Sequence, residues 1–315
     1  MGSTVAVTSN VSNVMARTPL PKGHVLAARN ARVLYVPSTK AASSTMRLLL
    51  AEANGTFHPE RIPYLDGPTV SVEQSVHNMA INGLVHMELL TAAEQTEMKT
   101  SKDWWRVAAV RNPYARLYSA WENRILFRAP SQVSPDVWSA CADVMSGGSI
   151  DLGASFRSFV RVLADQPEVF GRDSHFKSQA LHFDLTPIDL THLIRLDREG
   201  DLARFADDLG GRVGKSLVPK RLNEGLGITY RDVTDAATAD LVRRIFADDF
   251  ARFDFADEVF AAAPAPVVAS SRETQAIIYA RSLTVRLEQL SRLARYRTTS
   301  RHVAAQALRN LGLRR

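Results

Sequence analysis

The chain has 315 residues, 45% hydrophobic and 23% charged, enough for one large α/β domain with a sizeable core and an appendage. It contains no apolar run of about 18 residues, and residues 1–30 lack the basic start and apolar stretch of a secretory signal, so a cytoplasmic protein is expected. A single cysteine, Cys141, excludes an intrachain disulfide and cysteine-rich zinc sites, and the net charge is only +6.

Residues 1–30, rich in Ser, Thr, Asn and Val, read as a loose leader. The main domain is expected over 31–260. Its first strand is Arg32 to Val36, a short run of β-formers. A polar loop, Pro37-Ser38-Thr39-Lys40, follows, and helical periodicity begins near Ser44 with Met46, Leu49 and Leu50. Residues 54–85 are loop-rich, with Gly55, Pro59, Pro63, Gly67 and Pro68. A helix over Thr91 to Ser101 precedes a second strand, Trp105 to Val110. That strand runs through Arg111-Asn112-Pro113 into a helix over Tyr114 to Leu126, with Asn112 as cap and Pro113 in the first turn. Cys141 sits among aliphatic neighbours and reads as a buried bystander. Further helices are expected over Phe156 to Ala164, Leu202 to Leu209 and Thr238 to Phe250, and a third strand over Thr191 to Leu196. Strands alternating with helices predict a central parallel sheet flanked by helices on both faces.

Residues 261–271, AAAPAPVVASS, read as a linker. Residues 272–315 read as a basic helical tail, with Ile278, Leu283, Leu287, Leu290 and Leu293 at near-helical spacing and a second short helix at the end. The stretch from Ala263 to Arg315 holds ten Arg and two Glu, a net of +8. The remainder carries 29 basic against 31 acidic groups, a net of −2. The basicity therefore belongs to the tail, and no nucleic-acid partner is expected. The tail helix is a solvated face packed on its own domain, an attachment to anionic lipid, or a self-association element.

Two segments carry the chemistry. In YVPSTKAASSTMRLLL, Tyr35 to Leu50, a loop at a helix N-terminus offers free N–H groups and the positive end of the helix dipole. Ala41, Ala42 and Ser43 are small enough for an anion to approach the backbone. Lys40 adds a mobile charge, and Ser44 and Thr45 add hydroxyls. Taken alone, the segment is equally a polar strand-to-helix turn with a chance lysine. It is not a Walker A loop, since GxxxxGK[ST] is absent. In the second segment, Arg111 to Arg124, an arginine ends a strand where open α/β sheets bind ligands, and its planar fork suits a phosphate. Arg116, Ser119 and Asn123 share one face of the following helix. Tyr114, Leu117, Tyr118, Trp121 and Ile125 form the apolar side. Taken alone, this is equally a surface helix with an arginine in a salt bridge.

Together the two segments resemble the 5′-phosphosulfate loop and 3′-phosphate motif of sulfotransferases that use PAPS (3′-phosphoadenosine 5′-phosphosulfate). The resemblance is to the carbohydrate sulfotransferase group, HNK-1 and chondroitin-like, in a bacterial relative. Lys40, Ala42, Ser44 and Thr45 fall on that group's Pro-Lys-x-Ala-x-[Ser/Thr] motif, although Ser38 and Thr39 separate Pro37 from the lysine. Arg111, Pro113, Tyr114, Arg116, Leu117, Ser119 and Ala120 match its second motif. DSHFKSQ, Asp173 to Gln179, is similar to an x-His-Trp-x-Pro-Gln segment, with His175 and Gln179 retained and Phe176 and Ser178 departing. LIRLDREGDL from Leu193, Asn223, and IFADDFARFDF from Ile245 resemble later parts of the group. The likeness spans about Arg32 to Phe255 and implies a P-loop-like sulfotransferase fold.

The resemblance implies that Lys40 contacts the phosphosulfate, aided by Ala42, Ser43, Ser44 and Thr45, while Arg111 and Ser119 grip the 3′-phosphate. Transfer would leave PAP, adenosine 3′,5′-bisphosphate, and needs no metal. The acceptor would be a carbohydrate or glycolipid hydroxyl, whose proton needs a base. His77 is favoured for that role, then His86, then Glu73, with His175 a further candidate for lining the site. Two alternatives stand beside this one. The first is another nucleotide-dependent transferase or kinase. The second is a non-catalytic, membrane-associated binding protein. Oligomeric state, and the loops that would read the acceptor (54–90 and 127–155), carry no legible code.

Overall fold

The computed structural model describes residues 24–64, 72–128, 145–146, 148–170, 173–222 and 225–298. Cys141, Asn223 and the second tail helix fall outside the described residues. The expected strands form. The runs β2 (Val33–Val36), β4 (Trp105–Val110) and β7 (His192–Arg195) lie side by side and parallel. Their register pairs Val36 with Ala108 and Val110 with Arg195. All four β2 side chains are buried. Val33 and Tyr35 face one cluster, shared with Met46, Leu50, Val107 and Ala109. Leu34 and Val36 face another, shared with Ala108, Val110, Phe183 and Phe253. A strand covered on both faces gives a continuous apolar run, as this sequence has.

The sheet is wider than expected and mixed. Strand β1 (Leu26–Ala28) pairs antiparallel with β2, and β3 (Val85–His86) pairs antiparallel with β1. The order is β3-β1-β2-β4-β7. Leu26–Ala28 therefore belongs to the sheet, not to a loose leader. A tight turn makes this possible: Arg32 takes φ 52 and its N–H donates to the Arg29 carbonyl.

Helices α1 (Ser43–Asn54) and α2 (Ala92–Thr100) lie between the first strands. Thr91 and Glu94 close a capping box on α2. After β4 comes α3 (Pro113–Trp121), capped by Asn112 accepting from the Tyr114 N–H, and then a π-helical turn over Glu122–Leu126. A two-stranded ribbon, β5 (Met145–Ser146) with β6 (Ser149–Ile150), leads to α4 (Leu152–Asp165). Helices α5 (Gln179–Asp184) and α6 (Asp201–Val213) flank β7. The expected helix over Thr238 to Phe250 divides at buried Phe246 into α7 (Ala236–Ile245) and α8 (Ala247–Phe253).

The segment read as a linker is tied to the body. Asp151 bridges Val268, and the Ala269 N–H donates to the Ile150 carbonyl at 2.9 Å. The tail helix α9 (Ser271–Thr298) begins by burying Thr274, Ile277 and Arg281, whose Nε donates to the Leu126 carbonyl at 2.7 Å. Ile277 joins a third core cluster with Trp121, Phe156 and Val242. No helix of the described residues is long and apolar enough to cross a membrane.

Candidate active site

The loop from β2 to α1 is held in a costly shape. Lys40 (φ 62) and Ala42 (φ 52) both occupy the left-handed region, which disfavours side chains with a Cβ by about 1 kcal/mol or more each. Neighbours hold Thr39 against that strain. Its Oγ1 donates to the Ser174 carbonyl at 3.0 Å, its carbonyl accepts from Arg116 Nε at 2.9 Å, and Oγ1 accepts from Arg116 Nη2 at 3.0 Å. Arg116 is 1% exposed. It does not share an open polar face with Ser119 and Asn123; it anchors the loop from beneath. The first turn of α1 has no side-chain cap at Ala42 and no acidic residue, so the positive end of its dipole meets the cavity without a counter-charge from the helix itself.

Opposite this loop, Arg111 follows the last residue of β4. Gln179 grips its backbone on both sides: Oε1 accepts from the Arg111 N–H at 2.8 Å, and Nε2 donates to the Arg111 carbonyl at 2.9 Å. Gln179 in turn donates to buried Asp249, whose other oxygen accepts from the Ala180 N–H. The retained glutamine thus sets where the arginine leaves the sheet. Phe176 packs beside Phe159, and Ser178 caps α5 by accepting from the Leu181 N–H.

These walls enclose a cavity of about 390 Å³ lined by Lys40, Ala42, Ser43, Ser44, Thr45, Arg111 and Ser119, every donor-site residue expected from the sequence. His77, His175, Arg47 and Asn123 line it too. A second cavity of about 710 Å³ shares Ala42, Thr45, Arg111, Ser119 and Leu222 with the first and extends past Lys220 to Tyr230. The two are adjoining parts of one cleft.

The cleft is strongly cationic. Burial, then the nearby Arg124, Arg111 and Arg128 charges, bring the Lys40 ammonium down to about 7 against the pull of Glu122. Burial likewise lowers Arg111. His77 is brought to about 4 by burial and by the charges of Arg47, His175 and Lys40. Its ring is open to the cleft on one side, and its Nε2 lies 2.9 Å from Ser44 Oγ. Positive groups outnumbering the nearby carboxylates, Glu122 among them, favour an anionic ligand that would relieve them.

His86 is not brought to this place. It sits on β3 opposite Leu26 and lines neither cavity. Glu73 lies on the short helix Val72–Ser75, and its side chain is outside the described part. His175 does reach the cavity, paired through Nδ1 with Asp173.

A model of the sulfotransferase family matches residues 23–256. The chain belongs to the sulfotransferase family. No curated protein and no solved structure matches it. The family establishes sulfuryl transfer as the general activity and accounts for the parallel core with helices on both faces.

Several residues of this sulfotransferase site carry little sequence signal. Arg47 stands one helical turn beyond Ser43 with no motif to mark it, yet it lines the cavity and is half-buried. His24 falls in the stretch read as leader, yet lines the cavity and stacks on His182 at 5.4 Å. Asp249 lies in the segment resembling the family's closing stretch, but only its buried position shows it bracing Gln179.

Proposed function

We propose that this sulfotransferase moves the sulfuryl group of PAPS to a hydroxyl of a carbohydrate or glycolipid. The observation carrying the donor reading is convergence. Lys40 and the N-terminus of α1 line the first cavity, and Arg111 with Ser119 lines both it and the adjoining one. That arrangement fits a nucleotide with two separate anionic ends, a 5′-phosphosulfate and a 3′-phosphate. Sulfuryl transfer resembles phosphoryl transfer in depending on in-line positioning and charge stabilisation. Lys40 would stabilise the negative charge that develops on the departing phosphate oxygen. Ser43, Ser44, Thr45 and the backbone at Ala42 would hold the same end. An imidazole facing the cavity would take the acceptor proton, and His77 and His175 both face it. The resemblance to the carbohydrate group supports the acceptor class. A nucleotide kinase is disfavoured by the lysine's place ahead of the small residues.

The tail supports a second element of the reading. Tyr279, Leu283, Leu290 and Leu293 are exposed on α9 beside Arg286, on a stretch carrying ten Arg and two Glu. An anionic lipid surface would complement both features and bring glycolipid acceptors to a protein working at the cytoplasmic face. Binding to phosphatidylglycerol vesicles, but not to phosphatidylcholine vesicles, is the expected result. Equal recovery after truncation at Ser270 would remove the tail from the account.

The function is tested by incubating the protein with [35S]PAPS and a panel of glycans and glycolipids. Label transferred to a carbohydrate hydroxyl is expected. Label moving only to phenols or peptides would overturn the acceptor class.

A further inference from the structure

The two histidines facing the cavity are held in opposite ways. At His77 the engaged atom is Nε2, 2.9 Å from Ser44 Oγ on the first turn of α1. At His175 the engaged atom is Nδ1, 2.6 Å from Asp173 Oδ1, which also accepts the His175 backbone N–H at 3.0 Å. The other carboxylate oxygen accepts from Arg124 Nε at 2.8 Å. Burial pushes the Asp173 carboxyl up, but the hydrogen bond and charge of His175, with Arg124, outweigh it and hold the group below the usual carboxylate range. An ionised carboxylate against Nδ1 fixes the imidazole proton there and leaves the Nε2 lone pair free. Among the described residues Nε2 has no protein partner, and the ring lines the cavity that also receives Lys40.

We propose that His175, oriented by Asp173, is the catalytic proton acceptor, and that His77 is a positioning residue that fixes Ser44 at the donor end. The inference rests on the sulfuryl-transfer reading. In the step, the acceptor oxygen forms a bond to sulfur as the bond from sulfur to the donor's phosphate oxygen breaks. The electron pair of the broken bond leaves on that phosphate oxygen, beside Lys40. The acceptor's O–H proton passes to His175 Nε2, and the imidazolium returns it to solvent once PAP and the sulfate ester depart. The groups facing His175 are Asp173 on its own segment, Arg124 from the π-helical turn, Lys40 from the donor loop and His77 across the cavity. Burial, with Arg124 and Lys40, lowers its pKa against the pull of Asp173, so the ring is neutral and able to accept a proton near pH 7.

The test uses water as the acceptor, because hydrolysis of [35S]PAPS needs the same base and no identified glycan. PAP affinity is measured alongside by calorimetry. His175→Ala should lower the single-turnover hydrolysis rate by about 100-fold or more, erase the rise of rate with pH, leave the Kd for PAP within about threefold, and recover rate with added imidazole. Asp173→Asn should lower the rate by at least about tenfold with a shifted pH profile, and it serves if the alanine variant does not fold. His77→Ala should raise the KM for PAPS more than it lowers kcat. A His175→Ala protein that hydrolyses PAPS at the wild-type rate overturns the proposal. So does a wild-type protein that binds PAP but releases no sulfate, since a poised base would activate water. Failure of the wild-type protein to bind PAP at all would instead strike the donor reading beneath it.

Discussion

The floor of the cleft and the outer face of α9 are both rich in arginine, yet they are built by opposite rules. Beneath the cleft, Arg116 holds Thr39 through two hydrogen bonds, Gln179 holds both sides of the Arg111 backbone, and Asp249 braces Gln179. Arg116 and Asp249 are 1% and 0% exposed. Along α9, Tyr279 is 69% exposed, and Leu283, Leu290 and Leu293 also stand open. Charges buried without water must be fixed by neighbours, and fixing them sets the geometry of a site. Charges in water are free to meet any anionic surface. The first arrangement fits recognition of one small molecule, and the second fits a broad, forgiving contact.

The comparison is broken most forcefully at Lys40. Replacing it with Met should lower sulfuryl transfer from PAPS by about 100- to 1,000-fold, while the fold, read by circular dichroism, persists. Next in size is Asp249→Ala, which strips the brace from Gln179 and leaves Arg116 without a compensating negative charge. A loss of about 3–5 kcal/mol is expected, seen as a fall in Tm of roughly 10 °C. A Tm within 2 °C of wild type would show that the buried network is not what holds the loop.

The cationic crowding can be read through protons. Burial and the neighbouring arginines bring the Lys40 ammonium down to about 7 in the fold, from the ordinary 10.5 of the unfolded chain. Between those values the unfolded chain binds more protons, so this group adds stability as pH rises from 7 toward 10. The wild type should therefore gain stability relative to Lys40→Met across that window, measured by urea unfolding at each pH. Binding PAP at pH 8 should draw in about one proton, read by calorimetry in buffers of different ionisation enthalpy, and the uptake should shrink in Lys40→Met. The smallest effect lies on the outer face of α9. Leu283→Ala should change stability by less than about 0.5 kcal/mol, whereas Ile277→Ala, six residues earlier and fully buried, should cost about 2–5 kcal/mol.

Much of the fold and most residues of the cavity lining were legible in the sequence. The run VLYV is apolar on both faces, and the strand endings at Val36 and Val110 carry Lys40 and Arg111 to one cavity. Strand β1 was hidden because three apolar residues beside a left-handed Arg32 give no period to read. Packing of α9 on the body was one of the readings of the tail, but the residues that carry it were not marked, since Thr274, Ile277 and Arg281 repeat at helical spacing, as residues on a solvated helix also do. His86 and His77 were indistinguishable by type and nearly so by position; the structure puts the first on β3 opposite Leu26 and the second in the cavity lining beside Ser44. The Asp173–His175 pair depends on a local turn that spacing alone does not reveal.

The most direct test of the account is calorimetry with PAP and AMP on the wild type and on Arg111→Ala. Tight PAP binding that weakens about 100-fold or more in the variant, with AMP binding weakly to both, is the predicted result. Equal affinity of the wild type for PAP and AMP, or no loss in the variant, would contradict the assignment of Arg111 to the 3′-phosphate and with it the donor site.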